Sequence, residues 1–456
     1  MKKTQIIVLT FLITCMLCGC EKFIAEKSDK RLVVPVALKD FQALLSQSGI
    51  LNTNFVSAGE VSSDDFYLTS ADYNQQGFES DKRLYTWQPD YISRTLSSGG
   101  DEWYNTYRAI YYCNSVLQGL EENNLRGQEA DNIKGQALVF RAARYLDGVQ
   151  VWAPAYNETS AKTDMGMVLR LDPDMNTPSV RATVQETYDL IISDLTEAIS
   201  LLPTMQPGVS LPTKAAAHGL LSRAYLFMGL YQESLEHANY ALEYNSALID
   251  FKSLDANANF PIPIVSTSSS IEIVFGNSML YAEPLNFSVA KVPMDLYDLY
   301  DADDLRKEIF FRKNDDNTYT FRGTHTGSPA LTCGISTSEL YLITAECYCK
   351  LDNLDESANI LNTFLVKRWR QDKFIPYSFV DNENALNTIF EERRKELLMR
   401  GLRWPDIKRL NRDGANITLT RNIDENTFTL PPNDLRYALT IPEDVISNNG
   451  ITQNPR

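Results

Sequence analysis

Two segments of the chain carry apolar and small side chains at helical spacing, and each is interrupted once by a short turn. The turn of the first segment is Gly229-Leu230-Tyr231, and 123 residues further on the second has Asp352-Asn353-Leu354. The periodic positions are Ala216, Leu220, Ala224, Tyr225, Ser234, Ala238 and Leu242, and then Ile343, Tyr348, Ser357, Leu361 and Leu365. Small side chains let helices approach closely, while large ones fill the facing groove. Each segment therefore predicts a helix-turn-helix unit.

These units resemble tetratricopeptide repeats, whose helix pairs bury their apolar faces by stacking on one another. Two copies also fit generic helical hairpins, so the repeat itself stays open at this point. Both interpretations predict a mainly helical protein.

Three further helices are predicted upstream. The first opens at Asp101-Glu102 and carries residues at helical spacing, which are Trp103, Tyr104, Tyr107, Ile110, Tyr111, Asn114 and Leu117. The second covers about residues 128–151 and stops before Pro154. The third begins at Thr183, where Glu186 completes a capping pattern, and ends at Pro203.

The remaining segments have a different character. Residues 42–100 and 245–335 are rich in Ser, Asn, Asp, Gly and Tyr, and predict long irregular segments of the kind that are functional or disordered. The short apolar run 271–275 fits a strand or a loop. Residues 389–406 predict one charged helix that stops at Trp404-Pro405.

The N-terminus has the pattern of a processed leader. Lys2 and Lys3 precede an apolar run over residues 6–16, which is too short to span a bilayer. Leu17-Cys18-Gly19-Cys20 then resembles a bacterial lipobox, which implies cleavage before Cys20 and acylation of that cysteine. The alternative is an ordinary secretory signal with chance cysteines. We expect a signal peptide at 1–19, a lipidated linker at 20–35 and a folded body at 36–456.

Charge and residue counts exclude several kinds of site. The chain has 59 Asp and Glu against 43 Lys and Arg, a formal charge of −16, which argues against a nucleic-acid partner. Its three histidines lack metal-site spacing, and we expect no metal and no cofactor. Asp301, Asp303 and Asp304 could bind Ca²⁺, but a solvated acidic turn fits better. The body cysteines are expected to be buried free thiols.

Several motifs appear in an order that resembles the SusD/RagB family of Bacteroidetes outer-membrane lipoproteins. They are the lipobox; Trp103, Tyr107, Ile110, Asn114 and Leu117; Gly135-Gln136-Ala137, Arg141-Ala142, Tyr145, Trp152 and Pro154; Glu339-Leu340-Tyr341-Leu342 and Ala345-Glu346; Glu391, Arg393, Glu396-Leu397, Gly401, Arg403-Trp404 and Asp406; and Ile441-Pro442 with Gln453-Asn454-Pro455. Ala153 and Arg400 depart from the family pattern, which commonly has Gly and an acidic residue there.

The resemblance implies about four tetratricopeptide-like helix pairs on one side and an irregular, loop-rich half on the other. It divides the body into an N-terminal part at about 36–230 and a C-terminal part at about 260–456. It further implies a non-enzymatic lipoprotein. The loop-rich half would capture a nutrient, usually an oligosaccharide. The protein would then close as a lid over a SusC-like TonB-dependent barrel.

Candidate ligand residues follow from sugar chemistry. An aromatic ring covers the C–H face of a sugar, and short polar side chains bind its hydroxyls. The segment 73–91 and the second irregular segment offer this mixture at Tyr73, Asn74, Trp87, Tyr91, Tyr281 and Tyr319. A core role is favoured for Trp87, and both roles stay open for Tyr73 and Tyr91. The charged residues Glu391, Arg393, Glu396, Arg403 and Asp406 predict an ion-paired seam rather than a catalytic site.

Three other functions compete with glycan capture. One is a peptide-capturing lid of RagB type. Another is a surface glycoside hydrolase, which needs two carboxylates flanking the scissile bond, and no motif singles out such a pair. The third is a helical scaffold without a small ligand.

Overall fold

The computed structural model describes residues 35–89, 101–264 and 269–456. The predicted leader, Cys20 and nearly all of the linker lie outside these residues. The described chain has 17 α-helices and eight short strands. The helices are α1 (Leu38–Leu45), α2 (Ser48–Leu51), α3 (Ala58–Ser62), α4 (Ser70–Gln75), α5 (Glu79–Tyr85), α6 (Glu102–Glu122), α7 (Gln128–Trp152), α8 (Val184–Leu201), α9 (Lys214–Met228), α10 (Tyr231–Tyr244), α11 (Met294–Tyr297), α12 (Arg306–Ile309), α13 (Thr337–Lys350), α14 (Leu354–Leu365), α15 (Asn382–Glu396), α16 (Arg403–Arg412) and α17 (Glu443–Asn449).

The long helices pack in chain order. Helix α6 lies on α7, α7 on α8, α8 on α9, α9 on α10, α10 on α13, and α13 on both α14 and α15. The predicted helix-turn-helix units are confirmed as α9–α10 and α13–α14. Their small residues, including Ala216, Ala224 and Ala238, are fully buried, as close helix packing requires.

Local sequence signals explain where these helices begin and end. Thr183 and Glu186 form the predicted capping box at the start of α8, in which the Thr183 hydroxyl accepts a hydrogen bond from the Glu186 N–H. Gly229 ends α9 at φ +82°, a left-handed conformation that a residue with a Cβ adopts at a cost. Pro154 follows α7 by two residues, as predicted.

The strands form four separate two-stranded antiparallel sheets in the described chain. They are β1 (Met165–Val168) with β2 (Arg181–Thr183), β3 (Ile273–Phe275) with β6 (Ile335–Ser336), β4 (Phe311–Lys313) with β5 (Tyr319–Phe321), and β7 (Leu419–Ile423) with β8 (Asn426–Leu430). The run at 271–275 is therefore partly a strand. It lies against the start of α13, so the second irregular segment is attached to the helical half.

Two predictions of secondary structure were wrong. Residues 42–100 were expected to be irregular, yet α2 to α5 and the second half of α1 lie there. Helices of four to eight residues are too short to show a clear period. The single helix predicted for 389–406 ends at Glu396, and Trp404-Pro405 opens α16 rather than stopping α15. Proline is tolerated in the first helical turn because the N–H it lacks has no partner there.

A largely buried network of ion pairs confirms the predicted charged seam at Arg393, Glu396, Arg403 and Asp406, whereas Glu391 lies exposed at the surface. Its pairs are Arg393–Asp406, Arg403–Asp64, Arg306–Glu392, Arg306–Glu396, Arg368–Glu396 and Arg368–Glu272. Asp304 belongs to it, because this fully buried carboxylate lies 2.7 Å from Nη2 of Arg306. The solvated acidic turn was therefore wrong for Asp304. Among the described residues, no group of three or more His, Cys, Asp or Glu side chains is arranged to hold a metal ion.

The four cysteines of the described body are buried free thiols, as expected. Burial raises the pKa of the Cys113 thiol to about 12, so it stays protonated and unreactive. Within 35–89, 101–264 and 269–456, no helix combines the length and the apolar character that a bilayer crossing requires.

Candidate functional site

Backbone hydrogen bonds bring the two irregular segments together. Tyr67 and Lys291 exchange both backbone bonds, at 2.8 and 2.9 Å between N and O. Val292 N–H donates to the carbonyl of Tyr319 at 2.8 Å. The Gly77 N–H donates to a carboxylate oxygen of Glu283 at 2.9 Å. These links place five tyrosines in one part of the fold, which we call the tyrosine region: Tyr67, Tyr73, Tyr281, Tyr297 and Tyr319.

Tyr281 is the most exposed aromatic side chain of this region, at 57% of its full surface. Its hydroxyl accepts a hydrogen bond from the Asn286 amide, with 3.1 Å between Nδ2 and the phenol oxygen. The Asn286 Oδ1 in turn accepts from the backbone N–H and the hydroxyl of Ser288, both at 2.9 Å. The ring is thus oriented by a short polar network, and its face stays open to solvent.

Tyr319 stacks on Tyr297, with ring centroids 3.8 Å apart and planes 16° from parallel. The Lys307 ammonium nitrogen lies 4.6 Å from the centroid of the Tyr297 ring, within cation–π distance. Burial, together with the neighbouring Tyr319 hydroxyl, raises the pKa of Tyr297. The Tyr297 phenol is therefore neutral at physiological pH and can donate a hydrogen bond.

Tyr73 and Asn74 lie on α4 at the edge of the tyrosine region. The Tyr73 ring is half-buried, with its centroid 5.8 Å from that of Tyr85, and burial raises its pKa. Asn74 is exposed, and its amide donates to Asp424 at 3.2 Å between Nδ2 and Oδ2. Asp424 follows β7, so this bond ties α4 to the β7–β8 hairpin.

Trp87 lies in the core, where only 4% of its surface is exposed. Its indole N–H donates to the carbonyl of Ser62 at 2.9 Å, and the Arg421 guanidinium lies 5.0 Å from the ring centroid. This location agrees with the core role favoured from the sequence. Tyr91 lies outside the described residues.

Comparisons with known proteins agree along most of the chain. A family model described as "Starch-binding associating with outer membrane" matches residues 22–226, and one described as "SusD family" matches residues 310–456. SusD-like protein P2 of Formosa agariphila is 26% identical over 419 residues, which cover 77% of this chain and 79% of that protein. SusD-like protein P25 of the same organism is 28% identical over 204 residues, 41% of this chain but only 37% of the relative.

Solved structures share the same architecture. A putative sugar binding protein from Bacteroides vulgatus superposes with a TM-score of 0.72 at 20% identity, covering 93% of this chain and 99% of that one. A SusD superfamily protein from Bacteroides thetaiotaomicron also has a TM-score of 0.72, at 22% identity, with 92% and 100% covered. At this identity the similarity establishes the fold.

The chain belongs to the SusD/RagB family. In this SusD-family protein the five expected ligand residues that the structure describes divide into three groups. Tyr73, Tyr281 and Tyr319 lie in the tyrosine region, Trp87 lies in the core, and Asn74 is held by Asp424.

The sequence did not single out Tyr67, Tyr297, Asn286 or Lys307. Tyr67 stands between Phe66 and Leu68, and these three large residues show no alternation in the sequence that would have marked its part-exposed position. The stacking of Tyr297 on Tyr319 has no such local signal, because 22 residues separate the two in this SusD-family chain.

Two cavities of about 470 Å³ each lie elsewhere and are not lined by the predicted ligand residues. One cavity lies along the side of α6, and the other lies between residues 154–165 and the C-terminal segment. Tyr104 and Tyr111 line the first, and both are exposed although the sequence placed them on the periodic face of their helix.

Proposed function

We propose that this SusD-family protein captures an oligosaccharide at the tyrosine region without catalysing a reaction, and that it delivers the sugar to a SusC-like TonB-dependent transporter by acting as a lid. The observation that carries the proposal is the exposed Tyr281 ring, which Asn286 orients in the same loop-rich part of the fold as the Tyr297–Tyr319 stack. The family model for starch binding at the outer membrane supports the sugar as ligand. The related fold of a putative sugar binding protein is consistent with it.

The geometry of the tyrosine region suits reversible capture. The flat face of Tyr281 offers an apolar contact for the C–H face of a sugar ring. Asn286, Ser288 and the phenol hydroxyls offer donors and acceptors for its hydroxyl groups. Contact on an open surface buries less of a ligand than an enclosed pocket does, so affinity is modest and release to a transporter is fast.

The N-terminus supports the proposed membrane location. Acylation of Cys20 would hold the protein on the outer membrane, since each buried CH₂ contributes about 0.8 kcal/mol and stable anchoring needs more than one chain. The linker at 20–35 could extend at most about 50 Å at about 3.3 Å per residue, enough for a body that opens and closes over a barrel. Replacing Cys20 by Ala should release the protein from the membrane fraction of the producing cells. Retention there would contradict the lipid anchor.

The test of ligand binding uses residues 36–456 and isothermal titration calorimetry with a panel of oligosaccharides. Tyr281→Ala removes the exposed ring and should lower the affinity for the bound glycan by about tenfold or more, the scale of one stacking contact with its hydrogen bond. Tyr244→Ala, an exposed tyrosine at the end of α10, is the matched control and should bind like the wild type.

Three results would contradict the proposal in whole or in part. The first is a folded protein that binds no glycan of a broad panel. The second is binding of peptide pools in place of glycans, which would identify a peptide-capturing lid. Turnover of a bound glycan would contradict the non-catalytic assignment.

A further inference from the structure

One face of α6 lines an aromatic cavity of about 470 Å³, which lies apart from the tyrosine region. Tyr104, Tyr107, Arg108 and Tyr111 follow one another along this face at the three- and four-residue spacing of a helix. Met175 and Val445 close the cavity from other parts of the chain. Its volume falls within the range of about 300–1,000 Å³ that is typical of small-ligand sites.

The floor of this cavity is rigid. The Tyr107 hydroxyl donates to the carbonyl of Val168 at 2.9 Å and accepts from its N–H at 3.0 Å. The Trp103 ring packs against Tyr107 and Trp152, with centroids 4.7 and 5.0 Å away. Tyr107 and Trp103 are therefore held in place before any ligand arrives.

The rim of the cavity carries polar groups that have no partner in the described parts of the protein. Tyr104 and Tyr111 are 56% and 39% exposed, and neither hydroxyl has a hydrogen-bond partner in the described parts of the chain. Arg108 is also exposed, and no carboxylate of the described residues pairs with it. These three side chains can all reach a bound molecule.

The charged side chains that line the cavity are two arginines and one aspartate, although the chain as a whole carries −16. Arg108 and Arg170 both line the cavity, and Asp172 is the one acidic residue among the described residues that line it. The Asp172 carboxylate already accepts a hydrogen bond from the Asp174 N–H at 2.8 Å. The Arg170 guanidinium is bonded to the carbonyls of Thr177 and Asp174, which leaves Arg108 as the free cation.

We propose that this cavity is a second carbohydrate-binding site, selective for a sugar ring that bears an anionic group, either a carboxylate or a sulfate. The tyrosine faces would cover the C–H face of the ring, and the free hydroxyls of Tyr104 and Tyr111 would bind its hydroxyl groups. The planar guanidinium of Arg108 forms paired hydrogen bonds with an anionic oxygen group, which a neutral sugar lacks. A row of side chains at one-turn spacing along α6 suits successive units of a chain.

This site goes beyond the function proposed above, because it adds a second position and a charge preference. The experiment titrates residues 36–456 with three probes: galacturonic acid oligomers, sulfated galactan oligomers and neutral galactan oligomers of equal length. Arg108→Gln removes the cation and leaves a shorter polar side chain. Lys162→Gln removes one exposed charge elsewhere and is the matched control. Tyr104→Ala and Tyr281→Ala distinguish the two sites.

We expect at least one anionic probe to bind about tenfold or more tightly than the neutral probe, and to lose about that factor in Arg108→Gln. Tyr104→Ala should weaken binding as well, while Lys162→Gln and Tyr281→Ala should not. Equal binding of anionic and neutral probes, or wild-type affinity in Arg108→Gln, would overturn the second site. Loss of anionic binding in Tyr281→Ala alone would do the same and would leave the proposed function standing.

The row of tyrosines could instead contact another protein. If Tyr104→Ala abolished copurification of a membrane barrel while no anionic probe bound the wild type, the face would be a protein interface and the proposal would be wrong.

Discussion

Replacing Arg368 by Met tests the buried charge network at its most enclosed point. The Arg368 side chain is fully buried, and its Nη2 lies 2.9 Å from Oε1 of Glu272 and 2.8 Å from Oε1 of Glu396. The guanidinium also packs on the rings of Phe251 and Phe364, 4.2 and 4.7 Å from their centroids. Met preserves the apolar contact with these rings but removes the cation.

The expected loss of stability follows from the buried carboxylates that remain after Arg368 is replaced. Glu272 and Glu396 would stay buried with the cation between them gone, although Arg306 still lies 3.5 Å from Glu396. Burial already raises the pKa of Glu272 despite the attraction of Arg368. Without Arg368, the buried Glu272 carboxylate would therefore destabilise the folded state further. Removing one partner of a buried pair typically costs about 3–5 kcal/mol. We expect Arg368→Met to lower the free energy of unfolding by that amount.

The assay is urea unfolding at neutral pH, followed by circular dichroism. Arg370→Met is the control, because Arg370 pairs with Glu308 and Asp303 at the surface, where such pairs contribute about 0–1 kcal/mol. The triple variant Arg368→Met/Glu272→Gln/Glu396→Gln leaves no stranded charge and should regain at least half of the loss. The reasoning is refuted if Arg368→Met costs no more than Arg370→Met, or if the triple variant is less stable than the single one.

Two further outcomes can be measured on the same body. Burial and the adjacent His237, whose Nδ1 lies 2.9 Å from that of His218, lower the pKa of His218 to about 4. The unfolded chain therefore binds more protons than the folded chain between pH 6.5 and 4, and the stability of the fold decreases as the pH is lowered through that window. Thermal unfolding of His218→Gln should show a smaller loss of stability over the same pH range. Gly229→Ala should destabilise the protein by about 1–2 kcal/mol. The cause is the backbone φ of +82°, because an added Cβ would have room and would meet only Arg412 at 3.6 Å. Gly49→Ala, in open space within α2, is the control and should be neutral or stabilising, and equal effects of the two changes in urea unfolding would contradict the conformational argument.

The long helices were predictable because their signals are local. Side chains at helical spacing, the capping pair Thr183 and Glu186, and the prolines at 154 and 203 all act within one or two turns of the residues they affect. The bounds of α6, α7 and α8 therefore agree with the sequence to within a few residues. Trp404-Pro405 misled because proline is compatible with the end of a helix and equally with the first turn of one, and here it lies in the first turn of α16. The positive φ of Met399 and of Gly401 marks the turn that separates α15 from α16.

The candidate site was less predictable because exposure and pairing depend on distant residues. Asp301, Asp303 and Asp304 look alike in the sequence, yet only Asp304 lies against Arg306 in the core. Trp87 and Tyr281 are both aromatic residues in segments rich in polar side chains. Ser62 and Arg421 enclose the first, whereas Asn286 holds the second toward solvent.

The charge network and the tyrosine region are mechanically connected. Asp304 and Arg306 bind Glu392 and Lys395 of α15, and they lie between the two stacked tyrosines in the chain. The Tyr300 hydroxyl also donates to the backbone carbonyl of Lys395 at 2.8 Å. A segment with little regular structure is thus fixed to a long helix by buried ion pairs. Because folding already orders these tyrosines, a ligand at the proposed site would not have to supply that ordering free energy, and a shallow site could still bind it.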